Sequence, residues 1–174
     1  MSKKNMILLC VVLALVGLSI FCVVNYHKYC HQNWDISLGD GDNLSAEIKC
    51  VNKELWLYIM GEGEMISMTE DSTFSQTGRA WRSKPHQINK CFIYEGCKSI
   101  GHKAFSNCQE LNYICLPTSI RKIGCFAFEK CTNLEVIEFQ GSKEMWYEIE
   151  IDSSWRKNSK IRLVKCSNGV INLE

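Results

Sequence analysis

The chain has 174 residues, of which 46% are hydrophobic and 22% are charged, and its formal net charge is +1. This balance gives no support to nucleic-acid binding, which requires a concentrated cationic surface. Beyond an apolar N-terminal segment, the remaining chain is long enough for one continuous core, and two domains with separate functions are not expected.

The first predicted element is a membrane anchor at residues 6–24, which are 19 consecutive residues without a charge. A helix rises about 1.5 Å per residue, so this segment nearly matches a hydrocarbon core of about 30 Å. Lys3 and Lys4 precede it and only Lys28 follows closely, so the positive charge bias predicts a cytoplasmic N-terminus. The predicted N-terminal segments are a cytoplasmic tail at 1–5, a transmembrane anchor at 6–24 and a linker at 25–33.

A cleaved signal peptide is the alternative for this segment, because an apolar core of about 7 to 15 residues is sufficient for secretion. Residues 17–19, Gly-Leu-Ser, form a small-x-small triplet where cleavage could occur. Cleavage there would leave the apolar residues 20–24 at the mature N-terminus, so the uncleaved anchor is favoured. The sequence thus predicts a single-pass membrane protein with an ectodomain outside the cell, and the alternative is a secreted protein.

The next predicted element is a β-hairpin. Residues 44–50 and 55–59 alternate between apolar and polar side chains around residues 52–53, and residues 61–63, Gly-Glu-Gly, indicate a turn. We assign residues 34–84 to a small N-terminal β-hairpin cap, because a short stacked array needs atypical ends that keep its apolar faces from water.

An internal repeat follows the cap. Residues 99–108 recur as 122–131, and residues 111–116 recur as 134–139, each at an offset of 23 residues. Both copies contain Ile-Gly-x-x-Ala-Phe-x-x-Cys and then Leu-x-x-Ile, two residues before a Leu or Phe. A fixed period of about 20 to 29 residues with this pattern is the signature of a leucine-rich-repeat solenoid. We therefore predict a β-rich solenoid at 85–140, with short parallel strands and short helical turns.

Each repeat is predicted to supply one strand whose side chains alternate between the core and the outer face. Ile114 and Leu116 then face the core, as do the equivalent Ile137 and Phe139. Extending the period backwards identifies residues 87–94 as an earlier, degenerate strand. The repeats are therefore expected to contribute three strands.

The last region, residues 141–174, is predicted to be a C-terminal cap because the third Ala-Phe-x-x-Cys is missing. Ser142 is suited to cap a helix that carries Trp146 and Ile149 on one face. Residues 161–166 are predicted to form a final strand.

The repeat at 99–117 resembles the BspA-like leucine-rich-repeat family of surface proteins. Residues 141–169 look like the C-terminal segment of that family, and residues 55–81 are similar to the small β-region that often precedes its repeats. The resemblance spans residues 34–170. It implies a secreted or membrane-displayed, non-enzymatic protein that functions in adhesion or recognition.

The 11 cysteines are predicted to be mainly structural. Nine lie beyond the anchor, and an odd number cannot pair completely within one chain. Cys91, Cys108 and Cys131 are expected to be buried as small hydrophobic residues, and a disulfide between neighbouring coils is not favoured. Cys115 and Cys125 are expected to face outward as candidates for thiol exchange. Because no Cys-x-x-Cys occurs, no metal or cofactor is predicted.

No catalytic residue is predicted, and the protein is not expected to be an enzyme. His86 and His102 are the histidines of the predicted folded region. His102 occupies the repeat position of Cys125, so the two could lie about 5 Å apart on neighbouring coils. A histidine this close to a cysteine is the starting arrangement for an activated thiol nucleophile. We interpret them as unrelated exposed turn residues. Gly61 and Gly63 lack the third glycine of a nucleotide-binding loop.

The predicted binding face consists of outward side chains on the three repeat strands. These residues are Lys90, Phe92, Tyr113, Cys115, Val136 and Glu138. An aromatic and apolar strip edged by charge is typical of a protein contact. We therefore predict a membrane-anchored, extracellularly displayed protein for protein–protein recognition or adhesion. Its expected partners are the membrane, through the N-terminal helix, and an extracellular protein ligand.

The same residues are compatible with three alternatives. The protein could be an exported structural or thiol-redox envelope protein that uses its exposed cysteines. Phe92 and Tyr113 could instead pair across strands and cover the edge of the core. Trp81 or Trp155 could serve as a carbohydrate platform, although the tryptophans are expected mainly to pack within the two caps.

Overall fold

The computed structural model describes residues 32–36, 42–67 and 87–173. Within these ranges no helix has the length and apolar character needed to cross a membrane. Several sequence predictions lie outside the described residues: the tail at 1–5, the anchor at 6–24, most of the linker at 25–33, Trp81 and His86.

The described chain is built from short strands and one short helix. In chain order they are β1 (Gln32–Asp35), β2 (Ser45–Val51), β3 (Glu54–Met60), β4 (Gly63–Glu64), β5 (Ile88–Ile93), β6 (Cys97–Ile100), β7 (Tyr113–Leu116), β8 (Lys122–Ile123), β9 (Val136–Phe139), α1 (Lys143–Tyr147), β10 (Glu150–Ile151), β11 (Leu163–Cys166) and β12 (Gly169–Asn172).

Successive coils place their strands in two sheets. Within the described residues, the larger sheet has eight strands in the order β1-β2-β3-β5-β7-β9-β11-β12, and the smaller sheet has four in the order β10-β8-β6-β4. The five strands from β3 to β11 are parallel neighbours, and antiparallel strands flank them at both ends. The predicted solenoid is therefore present, and its parallel stack extends beyond the three strands expected from the repeats because both caps contribute a strand.

The predicted β-hairpin is formed by β2 and β3. Its turn residues, Asn52 and Lys53, both have positive φ angles, of 51° and 71°. Two consecutive residues of this kind produce a turn that matches the twist of the flanking strands, and asparagine tolerates this conformation well. Because β3 also pairs in parallel with β5, the hairpin continues the larger sheet directly.

The buried side chains recur at equivalent positions of the sequence repeat. Ile114, Leu116 and Ile137 are fully buried and Phe139 is 3% exposed, as their inward assignment predicts. Phe105 and Phe128, at equivalent positions, are fully buried too. The three cysteines predicted to face inward, Cys91, Cys108 and Cys131, are also buried. Each coil therefore adds the same apolar side chains to one continuous core.

Two repeat glycines allow neighbouring coils to approach closely. A Cβ atom on Gly101 would lie 2.4 Å from the Ile66 carbonyl oxygen, and one on Gly124 would lie 2.9 Å from the His102 nitrogen. Both distances are too short for a side chain, so glycine is required at this corner by the spacing of the coils. Each glycine immediately precedes a polar side chain of interest, His102 or Cys125.

The C-terminal cap contains the predicted helix. Ser142 is the N-cap of α1, and its hydroxyl accepts a hydrogen bond from the Met145 N–H. Trp146 packs edge-on against Phe139, with ring centres 5.4 Å apart. Trp155 is 6% exposed and packs against Phe128. The suggestion that Trp155 forms a carbohydrate platform is therefore wrong, because its ring closes the end of the core.

Candidate functional site

The outer side of the larger sheet carries a continuous group of aromatic rings. We call these residues the aromatic face: Trp56, Tyr58, Phe92, Tyr94 and Tyr113. Tyr58 pairs with Phe92 across β3 and β5, and their rings stack with centres 5.4 Å apart. The rings of Trp56 and Tyr113 lie 5.5 and 5.3 Å from that of Phe92. Phe92 is therefore at the centre of the aromatic face.

The aromatic face lies on the outer side because β3 and β5 alternate. On β3, Leu57 and Ile59 are fully buried, whereas Trp56 and Tyr58 between them are half-buried. Side chains of successive strand residues point to opposite sides of a sheet, so burying the aliphatic set presents the aromatic set outward. Tyr94, just beyond β5, extends the cluster with its ring centre 6.4 Å from that of Tyr58 and is 49% exposed.

Two lysines lie over rings of the aromatic face. The Lys90 ammonium is 4.7 Å from the Trp56 ring centre and 3.2 Å from the Glu54 carboxylate. The Lys49 ammonium is 5.1 Å from the Tyr58 ring centre. A cation over an aromatic ring is attracted by its negative face. Hydrogen bonds from the Trp56 indole N–H and from Lys90 lower the pKa of Glu54.

A hydrogen-bonded carboxylate bounds the other side of the aromatic face. The Tyr113 hydroxyl donates to Glu138 Oε2 at 2.7 Å, and the Lys165 ammonium donates to Oε1 at 2.9 Å. Hydrogen bonds from Lys165 and from Tyr113 hold the pKa of Glu138 below its usual value. Burial, followed by the bond to Glu138, raises the pKa of Tyr113. Its hydroxyl is therefore neutral and fixed in direction at neutral pH.

A second arrangement lies on the smaller sheet, where a groove of about 480 Å³ crosses several coils. At this groove the His102 ring Nδ1 lies 2.6 Å from Cys125 Sγ. The interpretation of these two residues as unrelated turn positions is wrong. The two side chains are directly paired, because the close approach at Gly124 brings the two coils together at this corner.

The part of the chain that the structure describes contains no candidate metal site. No group of three or more His, Cys, Asp or Glu side chains in residues 32–36, 42–67 and 87–173 is arranged to hold a metal ion.

Comparison with known proteins identifies the repeat. Residues 80–174 match the family described as the BspA type leucine rich repeat region, in 6 copies. The chain belongs to this family. The resemblance predicted from the sequence is therefore confirmed. Leucine-rich repeats of this family are associated with protein–protein interaction and are generally non-catalytic.

The chain is also similar to a solved structure, that of a leucine-rich repeat protein from Eubacterium ventriosum. The two are 13% identical with a TM-score of 0.49, and the match covers 79% of this chain and 44% of that one. This chain therefore spans less than half the length of that protein. A search of curated proteins gave no match.

The BspA-type strands place all six residues of the predicted binding face on the outer side of the larger sheet. Lys90, Phe92, Tyr113, Cys115, Val136 and Glu138 are half-buried. Phe92 and Tyr113 are in ring contact, and Lys90 lies opposite Tyr113 in the register. Cys115 pairs with both Phe92 and Glu138. Val136 instead lies toward the C-terminal cap, where it pairs with Leu163 of β11.

Cys115 is less suited to thiol exchange than its predicted outward position suggested. Burial, and then the nearby negative charge of Glu138, raise the pKa of its thiol. A raised pKa reduces the thiolate fraction at neutral pH, and thiolate is the reactive form.

Sequence reasoning missed three residues of the aromatic face: Trp56, Tyr58 and Tyr94. The alternation in residues 55–59 already placed Trp56 and Tyr58 on one side of a strand. The sequence does not indicate which strand lies next to that one. The hairpin is predicted as a separate cap, whereas in the structure β3 pairs directly with β5.

Proposed function

We propose that the aromatic face binds an extracellular protein partner. The observation that carries this proposal is the contiguity of five aromatic residues on the outer side of β3, β5 and β7, where the fold does not need them for its core. Aromatic side chains bury a large area with little loss of conformational entropy and dominate the energetics of protein interfaces.

The charges around the aromatic face define the kind of partner. Lys90 is paired with Glu54, Lys49 with Glu47, and Lys165 with Glu138, so neighbouring charges largely neutralise one another. This pattern offers an apolar centre and a polar rim, which suits a protein surface with exposed apolar side chains and hydrogen-bonding groups around them. A strongly acidic or basic ligand would find little net attraction here.

Display outside the cell is the second part of the proposal. It is supported by the uncharged segment at 6–24 and by the lysines that precede it. In this arrangement the anchor tethers the BspA-type repeats to the membrane and the aromatic face acts in recognition or adhesion at the surface.

Photocrosslinking in the native cell tests the binding role. The full chain carries a photoreactive amino acid at Lys90, and covalently captured proteins are identified by mass spectrometry. In the variant with Phe92→Ala and Tyr58→Ala, we expect loss of most of the captured protein, because two neighbouring rings at the centre of the contact are removed. Tyr147→Ala is the matched control, since Tyr147 is a 71% exposed aromatic residue outside the aromatic face.

The melting temperatures of both variants are compared with that of the wild type, to show that each variant is folded. Equal capture by the double variant and the wild type would show that the rings only cover the core edge. Loss of capture in the Tyr147→Ala control would show that binding occurs on another surface.

A further inference from the structure

The paired His102 and Cys125 side chains lie in the groove of the smaller sheet, away from the aromatic face. The groove is lined by residues of four successive parallel strands, β4, β6, β8 and β10, and its volume of about 480 Å³ is within the range of small-molecule sites. Both side chains are half-buried, so each is supported by protein on one side and reachable from the groove on the other.

The backbone fixes this pair on both coils. The His102 N–H donates to the Ser67 hydroxyl at 3.2 Å, and the neighbouring Lys103 N–H donates to the Cys125 carbonyl at 3.0 Å. The His102 ring also contacts the Phe126 ring edge-on, with centres 5.9 Å apart. These contacts set the direction of the imidazole toward the Cys125 sulfur, so the close approach is built into the fold.

The charged groups around the pair lie on or next to three of the four strands that line the groove. Glu64 lies on β4 and Asp152 follows β10, while Lys122 of β8 is paired with Glu150 of β10 at 2.9 Å. Hydrogen bonds from the Ser154 hydroxyl and N–H lower the pKa of Asp152. The Asp152 carboxylate is therefore a negative charge at the edge of the groove at neutral pH.

We propose that Cys125 is a reactive thiol that His102 activates, and that it forms a mixed disulfide with a small-molecule disulfide in this groove. The imidazole accepts the thiol proton at Nδ1 in the tautomer that carries its own proton on Nε2. This site goes beyond the proposed protein-binding role and uses a different sheet.

The exchange needs no further oxidant. The Cys125 thiolate attacks one sulfur of the small disulfide, whose S–S bond breaks as the new S–S bond to Cys125 forms. The other half leaves as a thiolate and takes the proton held by His102. One thiol and one disulfide are consumed, and one thiol and one mixed disulfide are produced. Cys125 is the only cysteine among the described residues that line the groove, so no groove thiol resolves the product.

The test uses the full chain in detergent micelles with bis(2-hydroxyethyl) disulfide, an uncharged probe. Peptide mapping by mass spectrometry follows the modification of each cysteine over time at pH 7. We expect Cys125 to react at least about tenfold faster than the half-buried Cys50. His102→Gln should lower the Cys125 rate by about tenfold or more and leave the Cys50 rate unchanged. Cys50→Ser is the matched control and should leave the Cys125 rate unchanged.

A pH series separates activation from a merely structural role of His102. At about pH 9.5, above the ordinary thiol pKa of about 8.5, the rates of the wild type and His102→Gln should converge, because solvent then deprotonates the thiol in both. A lower rate at every pH, or a Cys125 rate equal to that of Cys50, would overturn the proposal. So would an unchanged rate in His102→Gln whose melting temperature matches the wild type.

Discussion

At the residue scale, the core is determined by side chains that recur at a fixed offset. Phe105 and Phe128 are 23 positions apart, and their rings stack with centres 5.2 Å apart and an angle of 5° between them. The Trp155 ring then packs edge-on against Phe128 and closes this column. The repeat accounts for the burial of both phenylalanines, since equivalent positions in stacked coils have similar surroundings.

Phe128→Ala should destabilise the protein strongly, because it removes a fully buried ring with an aromatic neighbour on each side. Such truncations cost about 3–5 kcal/mol, a large part of the roughly 5–15 kcal/mol that stabilises a typical domain. Urea denaturation followed by tryptophan fluorescence measures the loss. The exposed Tyr147→Ala provides a control that should change stability by less than about 0.5 kcal/mol. A Phe128→Ala midpoint equal to that of wild type would contradict the core described above.

At the element scale, stability depends on contacts between neighbouring strands as well as on the core. Glu138 of β9 accepts hydrogen bonds from Tyr113 of β7 and from Lys165 of β11, so one carboxylate joins three adjacent parallel strands. These bonds lower the pKa of Glu138. They favour the folded state only while the carboxylate is ionised.

The contribution of Glu138 should therefore be lost in acid. Its folded-state pKa is below the unfolded value of about 4.3, so its stabilisation is fully present above that value and disappears as the pH falls through the lower, folded-state pKa. Glu138→Gln should destabilise the protein at pH 7 and reduce the further loss of stability between about pH 5 and pH 3. Glu110→Gln, at an exposed turn, is the control and should retain the wild-type pH dependence. The experiment is urea denaturation at a series of pH values. A Glu138→Gln curve parallel to that of wild type would contradict the prediction.

The strands differ in how far the sequence alone predicts their positions and neighbours. The interior positions of β5, β7 and β9 were predictable because burial repeats with the sequence. The pairing of β3 with β5 was not, since the sequence between these strands does not follow the 23-residue period. The contact of His102 with Cys125 was missed for another reason. Strand spacing predicts about 5 Å between equivalent positions. The close approach of the two coils at Gly124 and the directions of the side chains instead bring His102 Nδ1 to 2.6 Å from Cys125 Sγ.

At the scale of the whole molecule, a short repeat array is made stable by different structures at its two ends. Antiparallel strands β1 and β2 flank the parallel stack on one side, and β12 flanks it on the other. The aromatic Trp146 and Trp155 cover the C-terminal end of the core. Caps of this kind keep the apolar ends of a short repeat array from water. The two sheets between them form separate surfaces, one carrying the aromatic face and the other carrying the groove.

The membrane topology is the prediction for the whole chain. The uncharged segment at 6–24, preceded by Lys3 and Lys4, predicts a cytoplasmic N-terminus and a repeat region outside the cell. An epitope inserted after Glu174 should therefore be removed by protease added to intact cells, whereas one inserted after Met1 should be protected until the membrane is permeabilised. Replacing Lys3 and Lys4 with glutamate should weaken this orientation, because the charge bias is removed. Replacing Lys157 and Lys160 in the same way is the control, since both are far from residues 6–24 in the sequence. Protection of the C-terminal epitope in intact cells would contradict display outside the cell, and its release in soluble form without protease would instead indicate signal cleavage.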